Sequence, residues 1–190
     1  IAGLLTPMIK YHAGEMSIRV ANDAVQVLGG SGYMRDYPTE RYLRDARITT
    51  IYEGTSQLQV VAAIRGVISG VAEARFEELA GGLADTPAAK HSPVLDAGRA
   101  DLAAAVATVK AAENADFSDL VARPMVDLAI HIYVGYLMAR HGNVNERKAL
   151  LADRWIGQIP LLSRNVTEII AGRDSSTLDR FATLVHRETL

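Results

Sequence analysis

Apolar residues recur along nearly the whole chain at spacings of three and four, the period of a helix with one buried face. No run alternates with the two-residue period of a strand, so the pattern predicts an all-α protein. Met16, Val20, Ala24 and Val27 follow at spacings of 4, 4 and 3 and predict the buried stripe of a first helix. Thr6 is its expected N-cap, with Pro7 in the first turn where the missing N–H does no harm. Gly29 and Gly30 are its expected stop. A short helix is expected from Pro38 to about Ile48. Another should begin near Thr55 and run through Leu58, Val61 and Ile64 towards Gly70.

Gly81 to Pro93 holds Gly-Gly, two prolines, Thr and Ser, and is the strongest internal boundary. It divides the chain into residues 1–80, a linker 81–93, and an added bundle 94–190. In that bundle an alanine-rich helix is expected over Pro93 to Ala112. A second covers Phe117 to Arg140, with Pro124 in its first turns or kinking it. A third runs from Asn145 to Ala171, bent at Pro160, with the stripe Leu151, Trp155, Ile159, Leu162, Val166 and Ile169 as the core seam. A last short helix is expected over Ser175 to Val185. The second half thus reads as an antiparallel helical bundle.

Composition narrows the function. The chain has 190 residues, 20 Lys and Arg against 22 Asp and Glu, and no cysteine. The near-neutral balance gives no basic face for nucleic acid. Without cysteine there is no disulfide scaffold, thiolate nucleophile or Cys-ligated metal, which fits a cytoplasmic protein. The longest membrane-like stretch, Ala129 to Ala139, is 11 residues and contains His131, short of the roughly 20 a span needs. Ile1 opens inside helical sequence with no initiator Met, so the expectation is a fragment of a longer protein.

Candidate chemistry is concentrated in two places. The histidines (His12, His91, His131, His141 and His186) form no HExxH or other close ligand pattern, so no metal site is expected. Gly29-Gly30-Ser31-Gly32 could bring backbone close to a phosphate, or simply stop a helix and turn the chain. It follows a helix rather than a strand, which excludes a Rossmann turn or P-loop. Glu53, in Ile51-Tyr52-Glu53-Gly54-Thr55-Ser56-Gln57, precedes a helix start. It could be a first-turn anion favoured by the helix dipole, or a general base whose basicity rises when an apolar substrate excludes water.

Four motifs in order change the picture: Ala24 to Tyr33 (AVQVLGGSGY), Tyr37 to Arg41 (YPTER), Leu43 to Ile48 (LRDARI) and Ile51 to Gln57 (IYEGTSQ). Together they resemble the C-terminal helical domain of the acyl-CoA dehydrogenases, oxidoreductases of fatty-acid metabolism that desaturate acyl thioesters. The strong resemblance covers about Thr6 to Gly66. The rest is similar, less specifically, to the extra helical region of some longer members. The implied fold is the last helices of a four-helix domain followed by an additional bundle.

The resemblance implies Glu53 as the base removing the α-proton of the acyl-CoA, with a hydride leaving the β-carbon for flavin N5. It implies Gly54 against the bound thioester, and Gln26, Val27, Leu28, Gly29 and Gly30 approaching FAD, usually that of a neighbouring subunit. Thr55 and Gln57 match flavin-contacting positions at the next helix start. Arg44 and Asp45 read as a helix-end ion pair, and Tyr52 could line the acyl channel or pack. Implied partners are acyl-CoA, an electron-transferring flavoprotein and further copies of the chain in a dimer or tetramer. The family's other two domains carry most FAD and substrate contacts, so the fragment alone is expected to be inactive and flavin-free. Two other functions fit the same residues: an acyl-CoA oxidase, and a non-catalytic oligomerisation or docking module.

Overall fold

The computed structural model describes residues 1–185, and every regular element among them is helical. His186 lies outside the described residues. By its internal contacts the chain forms two compact units, Ile1–Arg65 and Gly66–Leu190. The division falls inside one helix, not at Gly81–Pro93, which is instead a connection within the second unit. The linker composition is real, but it marks a turn between two helices of one core.

The first unit is built on α1 (Ala2–Leu28), followed by the single turn α2 (Gly30–Tyr33), α3 (Thr39–Arg47) and a 3-10 turn (Ile48–Thr50). The helix α4 (Ser56–Ile68) closes it and carries the division. Thr6 is not the cap of α1: the helix begins at Ala2, with Leu4 and Leu5 N–H bonded to the Ile1 carbonyl, and Pro7 lies inside it. Proline removes one bond there, and burial of Leu4, Pro7 and Met8 offsets the loss. The buried face of α1 is Leu4, Pro7, Met8, Tyr11, Gly14 and Ala21, not the expected Met16–Val27 stripe. Val20 is 60% and Val27 85% exposed. Periodicity locates an apolar stripe but does not say which stripe this chain covers.

Gly29 ends α1 with φ 59°, a conformation that suits glycine. The chain then folds back on the helix end: a Cβ on Gly32 would lie 2.7 Å from Leu28 Cβ and 2.9 Å from the Val25 carbonyl oxygen. The buried Thr39 hydroxyl donates to the Gly32 carbonyl at 2.8 Å and fixes the start of α3.

The second unit comprises α5 (Val71–Gly81), a 3-10 turn (Pro87–His91), α6 (Ser92–Ala112), α7 (Ala115–Leu120) and α8 (Ala122–Gly142). It continues through α9 (Glu146–Ile156), α10 (Ile159–Gly172) and two single turns, α11 (Ser176–Asp179) and α12 (Phe181–Leu184). The helix α8 is its axis, contacted by α5, α6, α7, α9 and α10. It buries residues on several sides, among them Met125, Leu128, Ile132 and Tyr136, as a central helix must. Asn114 and Asn145 cap α7 and α9, each side-chain oxygen accepting a backbone N–H at 3.0 Å.

Two expectations shift here. The helix expected over Phe117–Arg140 is broken at Val121, with Pro124 in the first turn of α8. The Asn145–Ala171 helix is two helices broken at Gly157–Gln158, with Pro160 near the start of the second. The buried seam is therefore Ala152, Ile156, Ile159, Ser163, Val166 and Ile170. Leu151 and Ile169 are exposed, and Trp155 is half-buried. The break resets the helical phase, which a single continuous period cannot register.

Candidate active site

The 3-10 turn Ile48–Thr50 brings the chain off α3 and closes on itself, the Ile48 carbonyl accepting from Ile51 and Tyr52 N–H at 2.9 Å each. Glu53 and Gly54 follow, both with left-handed backbone, φ 51° and 94°. The two other non-glycine residues at positive φ among those described, Glu113 and Arg173, terminate α6 and α10. Glu53 terminates no long helix. Its conformation is held from downstream, where Gln59 on α4 donates its side-chain N–H to the Glu53 carbonyl at 3.2 Å. Gly54 is required twice: for its φ, and because a Cβ would sit 2.7 Å from the Gln59 side-chain nitrogen.

Upstream, the turn is seated on α1. Lys10 Nζ donates to the Thr49 carbonyl at 2.8 Å. The Thr49 hydroxyl lies 2.7 Å from the Ala46 carbonyl oxygen, 3.2 Å from that of Gly14 and 2.9 Å from the Ser17 hydroxyl. Ser17 in turn lies 2.8 Å from the Gly14 carbonyl oxygen. A Cβ on Gly14 would approach the Thr49 carbonyl oxygen to 3.1 Å. The exposed Glu53 and Tyr52 edge an open cleft of about 350 Å³, lined also by Ile9, Lys10, Ala13, Gly14, Ser17 and Thr49.

Thr55 and Gln57 lie at the start of α4, and both are exposed. The Thr55 hydroxyl accepts the Leu58 N–H at 3.4 Å, a long capping contact. Gln26, Val27, Leu28, Gly29 and Gly30 are exposed as well, with open space where a Cβ on Gly29 or Gly30 would stand. At about 1.5 Å of rise per residue, α1 carries them roughly 20 Å along the helix from the Gly14 end of the Glu53 cleft. The structure thus groups Glu53, Gly54, Thr55 and Gln57 in one place and holds Gln26–Gly30 at another. Among the described residues of α3 the ion pair is Arg41–Glu40 at 3.9 Å, not Arg44–Asp45. Arg44 instead lines a second groove with Tyr33, Arg35, Asp36 and Glu40.

Lys10, Ser17, Thr49 and Gln59 are the side chains that sequence reading did not single out. Gln59 sits one helical turn after Thr55, a spacing that invites a capping test. Nothing local marks Lys10 or Ser17, which reach Thr49 only because α1 and the turn pack together. Among the described residues no group of three or more His, Asp or Glu is placed to hold a metal ion. No helix among them is long and apolar enough to cross a membrane.

Residues 2–68, which contain this whole site, match the family model for the acyl-CoA dehydrogenase C-terminal domain. An acyl-CoA dehydrogenase of Bacillus subtilis (strain 168) is 48% identical over 63 residues, 33% of this chain and 17% of that protein. Cyclohexane-1-carbonyl-CoA dehydrogenase of Syntrophus aciditrophicus (strain SB) is 43% identical over 63 residues, 33% of this chain and 16% of that protein. A 3-(aryl)acrylate reductase of Clostridium sporogenes (strain ATCC 15579) is 54% identical over 52 residues, 27% of this chain and 14% of that protein. The chain therefore spans less than a fifth of the length of these relatives.

Proposed function

We propose that this chain is the C-terminal part of an FAD-dependent, cytoplasmic acyl-CoA dehydrogenase, and that Glu53 is the base that takes the α-proton of the acyl thioester. The observation that carries the reading is the Glu53 turn. A carboxylate in left-handed backbone, outside any long helix end and held from both sides, projects at the edge of a cleft. Such backbone costs of the order of 1–3 kcal/mol and persists where the surroundings over-determine it, often at functional sites.

A carboxylate in water is too weak a base for an α-proton. Glu53 is exposed in this chain, so its basicity must rise when an acyl chain and the rest of the enzyme exclude water from it. The resemblance implies that the Gly54 backbone lies along the thioester, while the Gln59 amide takes the space its Cβ would fill. The residues present suit FAD: Gly29 and Gly30 offer bare backbone with open space above it, and Thr55 and Gln57 flank the exposed first turn of α4. When bound, FAD supplies the acceptor for the β-hydride, which no side chain here could be. The resemblance implies that Gln26–Gly30 approach the flavin of a neighbouring subunit. That supports a homo-oligomer, with electrons passing on to an electron-transferring flavoprotein.

The test is the full-length protein that carries this chain, titrated with acyl-CoAs of different chain length. A dehydrogenase shows a flavin spectrum that acyl-CoA bleaches, and reduces an artificial dye faster than oxygen. Oxygen consumption matching dye reduction would make it an oxidase. A protein without flavin or turnover would be a non-catalytic helical module.

A further inference from the structure

We propose that Lys10, Ser17 and Thr49 are positioning residues for Glu53, fixing the turn that carries it against α1; the inference rests on the reading of Glu53 as the base. Thr49 lies in the 3-10 turn just before Glu53, and that turn closes on itself through the Ile48 carbonyl. Whatever holds Thr49 therefore sets the origin of the Glu53 backbone. What holds it is α1, from two directions.

Lys10 grips the Thr49 carbonyl at 2.8 Å across 39 residues of sequence, a charge-assisted bond stronger than a neutral one. The hydroxyls of Ser17 and Thr49 meet at 2.9 Å, between the carbonyls of Gly14 and Ala46. Each hydroxyl donates only one proton. The cluster therefore holds two donated bonds at a time, shared among α1, the end of α3 and the turn. Gly14 lets the turn seat this closely, since a Cβ there would press to 3.1 Å on the very oxygen that Lys10 holds. Lys10, Ser17 and Thr49 also line the cleft that Glu53 edges. Their bonds are thus made within the cleft beside the reacting carboxylate.

A base works only when its oxygen sits within hydrogen-bond reach of the proton, and a 1 Å misplacement can cost about 100-fold in rate. Loosening the seat of Thr49 displaces Glu53 without altering its chemistry. A merely structural contact behaves differently, lowering FAD content and substrate affinity along with turnover.

The experiment uses the full-length, FAD-loaded protein with Lys10→Met, Thr49→Val and Thr49→Ser. The first two should lower kcat by roughly 10- to 100-fold, with KM and FAD content unchanged. Thr49→Ser keeps the hydroxyl and should stay near wild type. In a Glu53→Gln background, Lys10→Met should cost little more, because the group it positions has lost its function. Wild-type kcat in Lys10→Met overturns the inference, and so does a kcat loss that tracks FAD loss, or a full additive loss in the Glu53→Gln background. If Glu53→Gln is inactive while Lys10→Met is normal, only this inference fails. If Glu53→Gln is itself active, the reading of Glu53 fails with it.

Discussion

Two glycines in the second unit make different predictions for the same substitution. Gly98 on α6 and Gly135 on α8 are both buried inside helices, where alanine is intrinsically favoured by about 1 kcal/mol. At Gly98 a Cβ would lie 2.6 Å from Ile159 Cγ2, with Ile132 side-chain atoms at 3.4 and 3.5 Å. Ile159 and Ile132 are each 0% exposed, and Cγ2 is a branch methyl that moves only if the stiff χ1 of a helical isoleucine moves. Overpacking of this kind costs about 1–3 kcal/mol. Because the nearest contact is a branch methyl on a stiff side chain, the upper part of that range applies, and the net effect of Gly98→Ala is a loss of about 1–2 kcal/mol. At Gly135 the nearest atom is Leu95 Cδ2 at 2.9 Å, the far end of a flexible side chain, and the next contacts are at 3.4 and 3.5 Å. There the packing cost is about 1 kcal/mol and cancels the propensity gain. Denaturant unfolding followed by fluorescence reports this unit alone, because Trp155 is the one tryptophan. A Gly98→Ala protein as stable as wild type, or a Gly135→Ala protein less stable than Gly98→Ala, would refute the packing argument.

Trp155 on α9 stacks on His131 with ring centroids 4.6 Å apart and donates its indole N–H to the His131 carbonyl at 3.0 Å. Because it is only half-buried, Trp155→Ala should cost about 2–3 kcal/mol, below the ~3–5 of full burial, and Trp155→Phe about 1 for the hydrogen bond. Circular dichroism in denaturant checks both, and an unchanged midpoint for the alanine variant would contradict the clamp. His91 in the turn before α6 is held below the ordinary imidazole pKa, chiefly by burial and further by Lys90, with Asp153 opposing. The unfolded chain then takes up the proton first as pH falls through about 6.5, so stability from His91 is present above that pH and lost below it. Comparing pH 7.5 with pH 5.5 by the same unfolding assay, wild type should lose more stability than His91→Gln; equal losses would remove His91 from the account.

The sequence showed the all-α class and most helix positions because helices stop where residue chemistry says so. Gly29 ends α1, Asn145 caps α9, and the Thr55 neighbourhood opens α4. It could not tell which apolar stripe is covered. Val20 and Val27 have the period of a core and stay exposed, while α1 turns Leu4, Met8 and Tyr11 inward. The seam of α9 and α10 slipped because a two-residue break changes the helical phase at Gly157. The Glu53 motif was legible as a local string, since its Gly, its helix start and its carboxylate are contiguous. Lys10 and Ser17 were not, because their link to that motif exists only once α1 packs on the turn.

The most direct test of the account is a single turnover of the full-length, FAD-loaded enzyme, comparing wild type, Glu53→Asp and Glu53→Gln by the bleaching of flavin on mixing with acyl-CoA. Glutamine keeps size and polarity but lacks the basic lone pair, so bleaching should slow by about 10²–10⁴-fold or more, with folding and FAD content intact. Aspartate keeps the base one methylene short and should retain partial rate. A carboxylate that served only the helix dipole would instead cost at most about 1 kcal/mol of stability and leave bleaching fast. Rapid bleaching by folded, FAD-loaded Glu53→Gln would contradict the assignment of Glu53 as the base.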